Sequence, residues 1–427
     1  MDAAASRAAR FVAPGRPGLT LSSQQTPIDD LIGRQRPGFA LERPFYTDPR
    51  IFDLEKRAIF PRSWWFAGHA SRIPAPGDYF LYRIAGESII VLRGRQGEVH
   101  ALYNVCRHRG SLVCLADEGR ANSFVCPYHA WTYAQDGTLL AARTMPPEFD
   151  KTQYGLHRGH VRLVEGLIYI SLGEQPDDFD PVAAEGTRYL ADHGLSRAKI
   201  AHREAWDVRA NWKLMWENFA ECYHCDHTHP EYCSVMDDAV ANSTGSAQEK
   251  QAYDDYTQAW RARSAELGRV VDSQPLDRTK PYGARRHAIK PGYLTQSAQG
   301  LPVAPLMGGL TDYDGGITTF SFYPMHYTVA SCDHAVTFRF TPLDALRSEV
   351  EVSWLVDEKA VAGVDYNVES LVWVWRQTTI QDKRIVDDNQ SGVNSWRYEP
   401  GPYAACEPGV MRFLAWYLER LAAVGSP

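Results

Sequence analysis

Apolar and polar positions change period along the 427-residue chain, and the changes outline its parts. Residues 1–45 are rich in Pro, Gly, Ser and Gln and show little periodicity, the pattern of an arm laid over another surface. Residues 48–60 place Ile51, Leu54 and Ile59 on a helix that Pro61 ends. From residue 64 to 172 the pattern is that of strands. Runs at 79–84, 88–93 and 99–105 are separated by turns at 76–78, 85–87 and 94–97. Asp136-Gly137 joins 130–134 to 138–142 as a hairpin, and 161–172 closes the block. Short strands with frequent turns predict a small all-β domain.

An acidic linker at 174–180 and a helical pattern at 181–193 follow. Trp212, Met215, Trp216, Phe219 and Tyr223 fall at i, i+3, i+4, i+7 and i+11, which predicts a helix with an apolar face that ends before His229, where a turn can bring His229 back beside His224. Residues 231–312 are irregular apart from a helical stretch at 248–267, and a loop of that length is a candidate for function. Strands are expected at 317–330, 335–341 and 348–357, with Cys332-Asp333-His334 as a turn, and helices at 366–390 and 409–421. The second half is therefore α+β, an antiparallel sheet flanked by helices. The chain divides into an arm (1–45), a β domain (46–175) and a larger domain (176–427).

Composition narrows the function. A net charge of −7 argues against nucleic acid and anionic membrane surfaces as partners. No apolar run reaches the length of a spanning helix, and residues 1–10 lack the apolar centre of a secretory signal, so a cytoplasmic protein is expected. The eight cysteines form no secreted-type framework. In a reducing compartment some are metal ligands, and the rest, Cys114, Cys222 and Cys225 among them, are packing residues.

Two constellations carry chemistry. Cys106-Arg107-His108 and Cys126-Pro127-Tyr128-His129 each pair a thiolate with an imidazole. Two cysteines on one iron and two histidines on the other make a Rieske [2Fe–2S] cluster, a one-electron carrier. A zinc site is the alternative, but it normally pairs Cys with Cys and His with His. The second constellation is Glu221, His224 and His229. Two imidazoles and a carboxylate suit a ferrous ion that keeps coordination positions open. His227 competes with His229, and Asp382, Asp387 and Asp388 on the helix at 366–390 compete with Glu221.

Cys106-Arg107-His108-Arg109-Gly110, Cys126-Pro127-Tyr128-His129-Ala130-Trp131, Asn211-Trp212-Lys213, Glu217-Asn218 and the Glu221, His224, His229 run together resemble the Rieske non-haem iron oxygenases of the ring-hydroxylating alpha-subunit type. The resemblance spans nearly the whole chain. It implies an N-terminal all-β domain whose Cys106, His108, Cys126 and His129 hold the cluster. The catalytic domain's His224, His229 and Asp382, the last eight residues before Gln390-Ser391-Gly392, would hold mononuclear Fe(II). Glu221 then leaves the triad and bridges an iron histidine to a cluster histidine of the neighbouring subunit, in a ring-shaped homotrimer. Electrons would come from NAD(P)H through a separate flavin/iron–sulfur reductase, since this chain has no Gly-rich dinucleotide fingerprint.

Glutamate rather than aspartate at 221, with Tyr313-Asp314-Gly315-Gly316, Trp354-Leu355-Val356, Gln381-Asp382-Lys383 and Glu407-Pro408-Gly409-Val410, resembles the glycine betaine monooxygenases and their proline betaine and carnitine relatives. The implied reaction hydroxylates an N-methyl group with O2, giving formaldehyde and, from glycine betaine, dimethylglycine. Proline betaine, carnitine and choline are alternative substrates, and arene dioxygenation is an alternative reaction. A quaternary ammonium has no N–H to donate and is held by aromatic faces. Trp375, on the Asp382 face of its helix, and Phe320, Phe322, Tyr323 and Tyr327 of the strand at 317–330 are the candidate cage residues.

Overall fold

The computed structural model describes residues 27–237, 245–271 and 280–423. Most of the expected arm, parts of the irregular stretch at 231–312 and the last residues lie outside them.

The described part of the arm carries α1 (Ile28–Gly33) and α2 (Pro44–Thr47) and runs into α3 (Pro49–Ala58), whose first turn is capped by Asp48. It lies on the far end of the chain: the Ala40 amide donates to the Gly401 carbonyl at 2.9 Å. Ten short strands follow. They are β1 (Trp65–His69), β2 (Asp78–Ile84), β3 (Glu87–Arg93), β4 (Val99–Tyr103) and β5 (Glu118–Arg120), then β6 (Ser123–Val125), β7 (Thr132–Ala134), β8 (Leu139–Ala141), β9 (Arg158–Val164) and β10 (Leu167–Ser171). Seven form an antiparallel sheet in the order β1-β10-β9-β4-β3-β2-β5, and β6-β7-β8 form a second. Residues 161–172 are two strands, not one, because Glu165 and Gly166 adopt left-handed φ values of 47° and 81° and turn the chain back.

The larger domain continues with α4 (Asp180–Leu190), β11 (Ala198–Val208), α5 (Trp212–Phe219), α6 (Cys225–Thr228), α7 (Pro230–Val235) and α8 (Ala247–Glu266). Next come β12 (Tyr282–Ala288), β13 (Gly316–Phe322), β14 (His326–Ala330), β15 (Ala335–Asp344), β16 (Arg347–Asp357), α9 (Val368–Val393) and α10 (Pro408–Ala422). Six strands make an antiparallel sheet in the order β11-β16-β15-β14-β13-β12. The α+β architecture expected from the pattern is present. Its two outer strands, β11 and β12, escape the sequence reading. Each pairs on one side only, and each carries charge (Lys199, Arg203, Glu204 and Asp207; Arg285 and Arg286), as edge strands do to resist further pairing.

The helix expected from Trp212 through His224 also ends early. Asn211 caps α5 by accepting from the Lys213 amide, and the helix stops at Phe219. Gly409 packs against this end so closely that a Cβ there would sit 2.1 Å from the Ala220 carbonyl oxygen. Tyr223, assigned above to the apolar face, is exposed.

A buried ion pair anchors α5. Lys213 Nζ donates to Glu55 Oε1 at 2.6 Å, and Trp212 Nε1 and Tyr417 Oη donate to the same carboxylate at 2.7 and 2.5 Å. One turn on, the Glu217 carboxyl is enclosed and accepts from Tyr46 and Tyr403 hydroxyls at 2.9 and 3.0 Å. Burial raises its pKa to about 7, and the tyrosines and Lys213 offset only part of that rise. An unfolded glutamate releases its proton near 4.5, so the folded state holds the extra proton between about 4.5 and about 7. Stability is therefore full below that window, falls across it as pH rises, and stays lower above it. Glu217→Gln removes the titration. Urea unfolding at about pH 5 and about pH 8 is expected to show a loss on the order of 2 kcal/mol in the wild type that the variant lacks. Equal pH dependence in the two proteins would refute this.

Candidate metal centres

The first constellation occupies two loops, β4–β5 and β6–β7, built to the same plan. In each, a cysteine amide donates five residues ahead (Cys106 to Ser111 at 2.8 Å, Cys126 to Trp131 at 2.8 Å). In each, its carbonyl accepts from four residues ahead (Gly110 at 2.9 Å, Ala130 at 3.0 Å). Gly110 and Ala130 take the left-handed φ that this turn demands, 77° and 57°, which glycine adopts freely and alanine at a cost. Both thiols are buried, and the His108 and His129 rings meet edge to face at 4.7 Å. His108 also stacks on Trp131 at 4.9 Å.

Donors converge on the sulfurs: the Tyr133 hydroxyl lies 3.2 Å from Cys106 Sγ, and the Tyr128 and His129 amides reach Cys126. Burial pushes the Cys126 thiol up, but these donors outweigh it and leave its pKa below the ordinary value. His108 Nδ1 is buried with no hydrogen-bond partner. Two thiols and an imidazole nitrogen left without a proton partner fit a metal cluster. The tip is exposed at Tyr128, whose ring carries the Arg109 guanidinium at 4.5 Å. Arg109 also donates to His129 Nε2 at 2.6 Å.

The second constellation gathers three chain segments. His224 caps α6, His229 precedes Pro230 of α7, and Asp382 lies in mid α9. His224 Nε2 and His229 Nε2 are 3.1 Å apart, and Asp382 Oδ1 is 3.0 Å from His229 Nε2 and 3.3 Å from His224 Nε2. Ligands about 2.1 Å from a central ion, at right angles to one another, lie about 3 Å apart, so this triangle fits a first-row divalent metal.

Each imidazole is turned by a partner on its other nitrogen. His224 Nδ1–H donates to Glu221 Oε1 at 2.5 Å. His229 Nδ1–H donates to Gln381 Oε1 at 2.9 Å, and Gln381 is fixed in that sense because its amide donates to Glu231 at 2.7 Å. Both Nε2 lone pairs therefore face the centre. Asn218 donates to Asp382 Oδ1 at 2.7 Å. Burial lowers the His224 pKa, but Asp382 and Glu221 outweigh it and raise it to about 9. Burial raises that of Asp382, and the two histidines bring it below its ordinary value.

Geometry separates the sequence candidates. Glu221 sits behind His224, away from the convergence point. His227 and Asp388 are exposed, and Asp387 accepts from the Arg209 amide at 2.8 Å. Cys225 lies within 4.8 Å of the histidine nitrogens, but it is joined to Cys222 in a disulfide and has no thiolate to offer. The reading of both as packing thiols is thereby corrected: with the helix ended at Phe219, residues 222–225 form a turn that brings their Cα atoms to 5.0 Å, within disulfide range.

Sheet register sorts the aromatic candidates. Ser321 pairs with Tyr327 and Tyr327 with Phe338, whose ring meets Trp375 edge-on at 5.1 Å and Phe219 at 5.0 Å. This is the face that α5 and α9 cover. Phe320 pairs with Thr328 and Phe322 with His326, on the opposite face. There they pack with Tyr169 and Phe179 beneath α4, so they line nothing near the triad. Tyr323 turns to Phe413 and Trp416 of α10. Trp375 is buried, with Tyr232 between its ring and His229, at 5.6 and 6.5 Å. A cavity of about 20 Å³, bounded by Asn218, Phe219, Phe338, Phe340 and Asp382, adjoins the triad. A larger one, about 310 Å³, lies between the arm and Tyr398, away from both centres. Sequence reading missed Gln381 and Phe338. Gln381 was legible as the neighbour of Asp382; Phe338 needed the register.

Residues 195–423 match the family of ring hydroxylating alpha subunits (catalytic domain), and residues 63–160 match the Rieske [2Fe-2S] domain. A glycine betaine monooxygenase oxygenase subunit of Pseudomonas aeruginosa is 36% identical over 401 residues, 92% of this chain and 91% of that protein. One of Chromohalobacter salexigens is 36% identical over 94% of this chain and 90% of its own length. A carnitine monooxygenase oxygenase subunit of Acinetobacter pittii is 34% identical over 51% of this chain and 60% of its own. The crystal structure of the quaternary ammonium Rieske monooxygenase CntA superposes with a TM-score of 0.69 at 22% identity, covering 93% of this chain and 99% of that one. Among the described residues no helix is long and apolar enough to cross a membrane.

The disulfide is open to direct measurement. Alkylation in denaturant without reductant is expected to leave Cys222 and Cys225 unalkylated, while the free Cys233 takes the label. Alkyl groups on Cys222 and Cys225 would show free thiols instead.

Proposed function

The chain belongs to the Rieske ring-hydroxylating oxygenases, and from that premise we propose that it is the oxygenase component of a monooxygenase that removes an N-methyl group from glycine betaine. The observation that carries the catalytic reading is the convergence of His224, His229 and Asp382 beside aromatic walls. The substrate rests on the full-length similarity to glycine betaine monooxygenase oxygenase subunits; the carnitine relatives match over half the chain.

In this reading His224, His229 and Asp382 hold Fe(II), and Cys106, His108, Cys126 and His129 hold the [2Fe–2S] cluster. When bound, the iron activates O2 and the cluster supplies electrons one at a time. The protein's own part is placement. Glu221 and Gln381 hold the two imidazoles in one tautomer and one orientation, and Asn218 steadies Asp382. Phe219, Phe338 and Trp375 present ring faces and edges to a cation that cannot donate a hydrogen bond, and they exclude water around it. Hydroxylation of an N-methyl group yields a carbinolamine, which expels formaldehyde and leaves dimethylglycine.

Family membership supports the remaining parts of this reading. Residues 46–175 form the cluster domain and 176–427 the catalytic domain. A homotrimer lets the Glu221 carboxylate accept from a cluster histidine of the neighbouring subunit as well as from His224. A separate flavin/iron–sulfur reductase brings electrons from NAD(P)H, in the cytoplasm.

A panel of N-methyl ammonium compounds, assayed with a surrogate reductase and scored for formaldehyde, tests the activity. Glycine betaine is expected to give the highest yield, and formaldehyde at the uncoupled background for every compound would end the proposal. Asp382→Ala is expected to lose mononuclear iron while keeping the cluster's visible spectrum. Glu221→Gln should retain both metals and slow turnover about 10- to 100-fold, and unchanged turnover would remove Glu221 from the electron path.

A further inference from the structure

Within the irregular stretch at 231–312, one short segment is braced against Trp375 of α9. Asp333 is its anchor. The Thr295 hydroxyl donates to Asp333 Oδ1 at 2.5 Å, the Val303 amide to Oδ2 at 2.9 Å, and His334 Nδ1 lies 2.8 Å from Oδ1. The Leu294 amide closes the segment on the Gly300 carbonyl at 2.7 Å. All three side chains, Thr295, Asp333 and His334, are buried. This bracing presents Gln296, itself 1% exposed, to Trp375.

The contact fixes which end of the carboxamide faces which way. Indole N–H only donates, so the Trp375 Nε1 contact, 3.2 Å long, must go to Gln296 Oε1. The –NH2 end therefore points elsewhere, with two hydrogens to place. Its hydrogen-bond partner among the described residues is Met236 Sδ at 3.5 Å, a weak acceptor that can take one of them. A buried amide with a donor to spare is a costly arrangement unless something else accepts from it.

Position supplies that acceptor. Trp375 is seven residues before Asp382, two turns along the same face of α9 and about 10 Å from it. A betaine is short: reacting methyl, nitrogen, methylene, carboxylate. With its methyl group at the triad and its ammonium against the rings of Phe338 and Trp375, its carboxylate would point toward Gln296, the partner of Trp375. Gln296 offers a neutral donor there.

We propose that Gln296 is a specificity-determining residue whose –NH2 group, oriented by Trp375, donates to the carboxylate of the substrate and so selects betaines over quaternary amines that lack one. The inference rests on the chain being a quaternary-amine oxygenase, and the test separates the two.

Gln296→Met keeps the side chain's length and removes its polar atoms. In the full protein, with cluster absorbance and iron content checked, KM for glycine betaine is expected to rise by about tenfold or more with kcat within about twofold. The inhibition constant of tetramethylammonium, which has no carboxylate, should stay within about threefold. If Gln296 acts only by bracing Trp375, the ring both ligands share, the two constants will weaken together, and that result overturns the proposal. So does an unchanged KM. Gln296→Asn, in which the amide retreats by one methylene, is the second variant should the first lose its metals, and the same selective rise is expected. A wild-type protein that yields no formaldehyde from any N-methyl ammonium compound defeats the oxygenase reading itself; a wild type that turns over glycine betaine while both variants match it defeats only the role of Gln296.

Discussion

The triad is split across 159 positions of sequence, so its existence depends on how α5 is fixed to α9. Three hydrogen bonds to α9 do this. Asn218 reaches Asp382, the Arg209 amide reaches Asp387, and the Asn211 amide reaches Gln390 at 2.8 Å. Each ties a residue in or next to α5 to a carboxylate or amide about one turn further along its partner. Asn211 also ties in the sheet, since its side chain caps α5 and donates at 2.8 Å to the carbonyl of Ala345, between β15 and β16. The two histidines then hang on the turn that follows α5, which sets their distance from Asp382.

This clamp is stabilised from behind by buried charge. Glu55 of α3 holds Lys213 and Trp212 of α5 and Tyr417 of α10 in one cluster, all four side chains fully buried. Such an ion pair contributes little net stability, because desolvation consumes most of its attraction, but breaking it would strand a charge in the core. Its value lies in direction: three helices can meet there in only one arrangement. Glu217 extends the same logic to the arm through Tyr46 and to the segment before α10 through Tyr403.

What was legible in the sequence follows from how local each feature is. The cluster motifs are pairs of close neighbours, so Cys106, His108, Cys126 and His129 could be read directly. So could the His224 and His229 spacing. Asp382 could not be told from Asp387 or Asp388 by periodicity, because all lie on one helix; the clamp distinguishes them by giving Asp387 to Arg209. Phe320 and Phe322 were misplaced for the opposite reason. Strand alternation says that they share a face but not which face, and a shift of one residue exchanges the two. Tyr327, the odd-numbered aromatic on the neighbouring strand, is the one that meets Phe219. The unread edge strands β11 and β12 look like loops because charge, not apolar alternation, suits a strand with one free side.

The Cys222–Cys225 bond alters the electron inventory of the chain. A cluster and a mononuclear iron are one-electron centres, whereas a disulfide is a two-electron couple with its own potential. It closes a ring of four residues around His224, so a reductant strong enough to open it would loosen the turn that positions one imidazole. Opening this bond is thus a two-electron event distinct from any at the metals, and it falls on the scaffold of the iron site.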